Sequence, residues 1–157
     1  MHKILIAATL GMMALGAATS ARAQDIRVFP SGSSPSVIAD PKNFTGQVVV
    51  DILTPGSVQT PAASGLVSFA PGARTAWHTH PAGQMLIVTA GKGWVQQEGQ
   101  PRQEISSGDT VWIPAGVRHW HGATSTTAMS HIAVTYNRDG KNVEWMDLVT
   151  DQQYEAR

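Results

Sequence analysis

Histidine recurs at alternate positions twice in this chain, at His78 and His80 and again at His119 and His121. Along an extended strand successive side chains point to opposite faces, so each pair occupies one face with Cα atoms roughly 6.6 Å apart. That separation lets two imidazoles converge on one ion. The same parity puts Trp120 on the face opposite His119 and His121. In the stretch Trp77-His78-Thr79-His80-Pro81-Ala82-Gly83-Gln84, three metal-competent side chains fall within seven residues. A third apolar run, Met129 to Thr135, carries His131, with Met129, Ala133 and Thr135 on its face. These strands are predicted to face one another across the inside of a small barrel and to hold a divalent metal. Several imidazoles buried side by side without a shared partner would leave polar groups unsatisfied at about 1–3 kcal/mol each. An ion removes that cost.

The donor chemistry is narrowed by what the chain lacks. It has no cysteine, which excludes a disulfide framework, thiolate ligands and cysteine nucleophiles together. A metal must be bound through nitrogen and oxygen, a donor set that suits Mn, Fe, Co, Ni or Zn. Neither a Ser-His-Asp arrangement nor a phosphate-binding loop is present.

At the N-terminus, Met1-His2-Lys3, the apolar run Ile4 to Ala18 and Ala21-Arg22-Ala23 have the form of a secretory signal peptide over residues 1–23. The expected mature chain begins at Gln24 and is periplasmic or secreted. Its loss takes Lys3 and Arg22 from a balance of 11 basic and 11 acidic residues, leaving nine against eleven, a formal charge of −2. There is no basic run, so neither nucleic acid nor an anionic membrane surface is an expected partner. A small-molecule substrate is.

Residues 24–41, rich in Ser, Pro and Gly, read as a flexible arm, and residues 42–157 as one domain. Within that domain short runs of β-branched and aromatic residues alternate with Gly- and Pro-containing turns. Strands are predicted from Phe44 to Leu53, over Gly65–Phe69, through His78–His80 and from Gln84 to Thr89. After a turn at Ala90-Gly91-Lys92-Gly93, Trp94–Glu98 and Gln103–Ile105 form a hairpin; Thr110–Ile113, the His119 and His131 strands and Val143–Trp145 follow. The apolar run Met85–Val88 is expected to be covered on both faces. Thr150 is placed to N-cap a short terminal helix. The predicted fold is therefore all-β, a jelly-roll barrel of antiparallel strands with a short C-terminal helix. The five tryptophans read as packing and subunit contact, Arg74 as a structural ion pair beside the motif and Asp109 as a turn residue.

The spacing of these residues resembles the two motifs of the cupins. Gly72, five residues, His78-Thr79-His80, three residues, Gln84, six residues and Gly91 is similar to the first, G-x5-H-x-H-x3-4-E-x6-G. Gly108, five residues, Pro114-Ala115-Gly116, two residues and His119 is similar to the second, G-x5-P-x-G-x2-H, sixteen residues on. Gln84 departs from the usual glutamate and Ala123 from the usual asparagine. Gln84 is either an oxygen donor or a residue hydrogen-bonded to a ligand. If it is a donor, three imidazoles and a neutral amide leave a divalent charge uncompensated, which favours an anionic ligand or a developing oxyanion.

Within the cupins, the chain resembles the manganese-dependent, (R)-mandelonitrile lyase-like hydroxynitrile lyases along nearly its whole mature length. The match is carried by Pro71 to Pro81, Gly83-Gln84, Leu86 to Gly91, His119-Trp120-His121-Gly122, Thr126 to Met129 and Trp145-Met146. The resemblance implies His78, His80, Gln84 and His119 as ligands of one divalent ion per subunit, Mn foremost. It implies an acid-base role for His131, with His121 beside it, and reversible cleavage of a cyanohydrin to an aldehyde and HCN. It also implies a homo-oligomer, dimer or tetramer. The alternatives on the same fold are an iron-dependent dioxygenase of the quercetinase kind and a metal- or small-molecule-binding protein without turnover.

Overall fold

The computed structural model describes residues 25–57 and 61–156; the expected signal segment, residues 1–23, lies outside them. Among the described residues the chain runs β1 (Val37–Ile38), β2 (Phe44–Thr45), β3 (Val48–Thr54), β4 (Ala62–Phe69), β5 (Arg74–Thr75), β6 (His78–Thr79), β7 (Gln84–Gln97), β8 (Gln103–Ser106), β9 (Thr110–Ile113), β10 (His119–Ala123), β11 (Met129–Tyr136), β12 (Glu144–Trp145) and α1 (Asp151–Glu155). All strand pairs are antiparallel, and the main path of the curled sheet is β1-β3-β4-β11-β7-β10-β5-β2. This is the all-β jelly roll that the turn spacing predicts.

The turn expected at residues 90–93 does not form. Gln84 to Gln97 is one strand of 14 residues, and it belongs to both halves of the barrel. Its first part pairs with β9 and β11, its second with β8 and β10. The bend between them is made at Gly91, whose φ of 72° lies in the left-handed region. A Cβ there would stand 1.9 Å from the Ala128 carbonyl oxygen. The glycine signal was real, but it marks a bent strand with an irregular register near Ser130 and His131 rather than a hairpin. The hairpin of β7 with β8 forms as expected, Trp94 lying opposite Glu104.

Alternation along β7 also corrects a second expectation. Leu86 and Val88 are buried while Met85 and Ile87 are only partly so, so the apolar run is covered fully on its inner face alone. The inner face packs Val48, Phe69, Val88 and Met129, all buried, into the barrel core. A separate cluster forms on the outside, where Trp77 and Trp120 pack with Val149 and Tyr154 beneath α1. Thr150 caps that helix as expected, its hydroxyl accepting from the Gln153 N–H while the Gln153 side chain returns to the cap N–H. Tyr154 donates its hydroxyl to the Ala123 carbonyl at 2.9 Å. Arg74 is buried and donates to the Val149 carbonyl and to Asp151, the structural role read for it from sequence.

Replacing Gly91 by alanine should destabilise the fold by about 1–3 kcal/mol through the backbone conformation alone, the clash with Ala128 adding to it. Urea denaturation measures this; an unchanged midpoint would mean the bend does not need glycine.

Candidate metal centre

The strand register assembles the histidines. β6 lies between β10 and β12, with His78 directly opposite His119 on one side and Trp145 on the other. The His78 and His119 ring centroids are 4.1 Å apart. His80, just past the end of β6, completes a triangle at 5.0 Å from His78 and 5.5 Å from His119. All three are buried, and each offers a ligand nitrogen within 4.8 Å of the others. These three histidines could hold a metal ion.

Their tautomers are set by the backbone. Nδ1 of His78 lies 2.9 Å from the Ala76 carbonyl and Nδ1 of His119 2.9 Å from the Val117 carbonyl, two residues back in each case. Nδ1 of His80 pairs with the Asn142 carbonyl. A carbonyl oxygen only accepts, so each Nδ1 carries the proton and each Nε2 keeps its lone pair. Nε2 of His80 and of His119 are buried with no hydrogen-bond partner. So is Oε1 of Gln84, whose Nε2 donates to the Thr135 hydroxyl at 3.0 Å. Buried orphan acceptors on neutral nitrogen and oxygen donors are what a divalent cation would satisfy, so the residues present fit the ion.

The other two histidines complete the lining. His121 and His131 stand with ring centroids 4.9 Å apart, and Phe69 packs against both. His131 has neither nitrogen hydrogen-bonded and His121 has Nδ1 free, among buried polar atoms without a partner. The parity argument is met in part on β11: His131, Ala133 and Thr135 line the same cavity of about 170 Å³, while Met129, before the register shift at Ser130 and His131, packs into the core. Phe44, Val50, Val67 and Trp145 supply apolar wall, and among the described residues no charged side chain lines it. Trp145 is therefore a cavity residue as well as a packing one. Arg74 takes no part in the lining.

Burial governs the protonation of the group. It pushes the His119 and His131 imidazoles down to about 4, opposed at His119 by the Val117 carbonyl. Burial also takes His121 well below the ordinary range, with His131 and His78 adding to the effect. For His78, burial and then the neighbouring His119 and His80 act in the same direction. His80 is lowered by burial against the opposing pull of the Asn142 carbonyl and the Gln84 side chain. All five are neutral at neutral pH. His131 is thus not an unperturbed base, because the wall that brings it to the cavity also removes its water.

Two contributors have little sequence signal. Asn142 acts through its backbone carbonyl, which any residue type supplies. Thr75 reaches the cavity from a two-residue strand, and its hydroxyl accepts the His121 backbone N–H at 3.2 Å. Thr135 is placed on the His131 face by the sequence, but its hydrogen bond with Gln84 is not.

Comparison with known proteins agrees with this fold. Residues 65–135 match the Cupin domain family. The chain is 56% identical over 111 residues to an (R)-mandelonitrile lyase from Granulicella tundricola, covering 71% of this chain and 85% of that protein. A cupin-like protein from Thermotoga maritima, 38% identical, superposes with a TM-score of 0.72 over 82% of this chain and 95% of its own. A polyketide cyclase from Streptomyces resistomycificus, 14% identical, shares the fold with a TM-score of 0.63 over 83% of this chain and 92% of its own.

A histidine neutral in the folded chain takes a proton near 6.5 once unfolded. Its contribution is therefore complete above about pH 6.5 and is lost as pH falls towards 4, up to about 3 kcal/mol for His131 alone. Denaturation of the metal-free chain should show stability dropping between pH 6.5 and 4, less steeply in His131→Gln. Equal slopes in the two proteins would contradict the burial argument.

Proposed function

This chain belongs to the cupin family, and from that premise we propose that it is a divalent-metal-dependent carbon–carbon lyase of the hydroxynitrile lyase kind. The reaction is the reversible cleavage of a cyanohydrin to an aldehyde and HCN. One observation carries the reading: three buried imidazoles, His78, His80 and His119, have their Nδ1 atoms engaged, and His78 and His80 share with His121 and His131 the wall of one cavity that has no charged side chain among the described residues lining it. The likeness to an (R)-mandelonitrile lyase supports the reaction class. At about 170 Å³ the cavity is comparable to an engineered apolar cavity of about 150 Å³ that binds benzene, which suits a substrate the size of one aromatic ring.

In this reading His78, His80 and His119 are the nitrogen donors and Gln84 the oxygen donor. Bound there, a divalent cation, manganese by resemblance to the family, supplies Lewis acidity toward developing negative charge. The chain's own residues handle the proton and the substrate. His131, neutral and with both nitrogens free of protein partners, accepts the hydroxyl proton of the cyanohydrin. As the carbonyl forms, the bond to the nitrile carbon breaks and its electron pair leaves with cyanide. His131, with His121 beside it, returns the proton to give HCN. Burial makes His131 a weak base, so proton removal is coupled to stabilisation of the charge left behind. Phe44, Val67 and Trp145 exclude water and hold the apolar part of the substrate.

Metal analysis beside an HCN-release assay on mandelonitrile tests the assignment. His78→Ala, His80→Ala and His119→Ala should each lose most of the bound metal and the activity with it. His131→Ala should keep its metal and lose cleavage by about 10²- to 10⁴-fold. A wild-type rate in metal-loaded His131→Ala would move the base to His121 or end the lyase reading, and oxygen uptake with a catechol would favour a dioxygenase.

Export and assembly belong to the same reading. We take residues 1–23 to be removed, and the chain to associate with itself through the outer face of the sheet. There Ile132 lies opposite both Leu66 and Ile87, and Met85 lies opposite both Val134 and Trp112. Trp112 is 56% exposed, so this face leaves apolar surface uncovered in one subunit. Native mass spectrometry of exported protein should find a dimer or tetramer of chains beginning at Gln24. A monomer would remove the assembly, and a mass retaining residues 1–23 would remove the cleavage.

A further inference from the structure

Gln84 differs in kind from the other members of the donor set. An imidazole with Nδ1 engaged presents one lone pair, whereas an amide has an oxygen at one end and two N–H bonds at the other. Turned about, Gln84 would aim those N–H bonds at the cluster and oppose a cation there. Whatever orients the amide must lie beside it on the sheet. β7 runs between β9 and β11, and Gln84 stands directly opposite Ile113 on one side and Thr135 on the other. Directly opposed residues on antiparallel strands hold their Cβ atoms about 4.5–5.5 Å apart, within hydrogen-bonding reach for side chains of this length.

Ile113 is buried and apolar, so it offers the amide nothing. Thr135 does: Gln84 Nε2 donates to its Oγ1 at 3.0 Å. With that end tied, Oε1 is the end left buried and unpartnered. We propose that Thr135 is a positioning residue, its hydroxyl holding the Gln84 amide so that Oε1 is presented to His78, His80 and His119. The inference rests on the metal-dependent reading above and extends it to a residue outside both sequence motifs.

The proposal has a consequence that a packing role lacks. A carboxylate has two equivalent oxygens and needs no steering, so the hydroxyl should matter with glutamine at position 84 and hardly matter with glutamate. Mn²⁺ affinity, measured by calorimetric titration of the full mature chain, reads this without reference to turnover. Thr135→Val keeps the side-chain shape on a strand that favours β-branched residues, and thermal melts of the metal-free variants check that each is folded.

Thr135→Val should weaken Mn²⁺ binding by about 10- to 100-fold, the usual cost of removing a ligand's hydrogen-bond partner, while Thr135→Ser stays within about threefold of the parent. In a Gln84→Glu background the same Thr135→Val change should cost less than about threefold, and this non-additivity is the signature of the pair. The Co²⁺-loaded Thr135→Val variant should also show an altered visible absorption spectrum. Equal losses from Thr135→Val in both backgrounds would make Thr135 a packing residue and overturn the proposal. So would unchanged affinity in Thr135→Val beside a loss of more than about tenfold in Gln84→Ala. Unchanged affinity in Gln84→Ala would remove Gln84 from the donor set, and the assignment on which this inference rests would fail first.

Discussion

The centre depends on hydrogen bonds from three imidazole Nδ1 atoms to three backbone carbonyls. Without them each ring could carry its proton on either nitrogen and rotate about its own axis. With them, the Nε2 lone pairs are committed to one buried space before any ligand arrives. For His78 and His119 the carbonyl lies two residues back on the same chain, so orientation is nearly a local property of the strand entry. For His80 the carbonyl belongs to Asn142, which ties the group to the segment leading into β12. Leaving several acceptors unpaired in the interior costs about 1–3 kcal/mol each. The fold bears that cost at the centre and recovers stability elsewhere.

The opposite face of the same strands is packed. Trp77 precedes His78, and Trp120 sits between His119 and His121; alternation sends the histidines inward and the tryptophans outward. An outward tryptophan on a barrel would ordinarily be exposed, yet Trp120 is fully buried. The C-terminal segment covers it. Val149 and Tyr154 pack on the two indoles, Arg74 and the capped helix hold that segment in place, and the Trp120 indole N–H donates to the Gln96 side chain at 2.7 Å. The strands that carry the histidines are thus pinned from outside by this packing.

Among the described residues, none that lines the cavity carries a charged side chain. Its polar lining consists of imidazoles, hydroxyls and amides, and burial keeps the imidazoles neutral. In such surroundings any charge introduced by a ligand or a reaction is weakly screened and strongly felt. The glutamine at position 84 belongs to this pattern: a glutamate there would add a fixed negative charge, whereas the amide adds only a dipole, and a dipole has to be aimed.

The sequence by itself determined a good deal. Side-chain alternation depends only on an extended backbone, so the sharing of a face by His78 with His80, by His119 with His121 and by His131 with Thr135 could be read directly. Turn residues determined the all-β class, and Thr150 determined the start of the helix. Tertiary structure decided what local rules leave open. Gly91 announces a left-handed backbone angle, but whether the chain then turns back or bends onward depends on which strands wait on either side, and here β8, β10 and β11 keep β7 continuous. The depth of burial, and so the low proton affinity of His131, depends on walls drawn from β2, β3 and β4 far away in the chain. Which carbonyl receives His80, and which hydroxyl receives Gln84, are questions of register between strands. Such contacts depend on the closure of the whole barrel, because a hydrogen bond's direction is set by three-dimensional position rather than by the identity of the residues that make it.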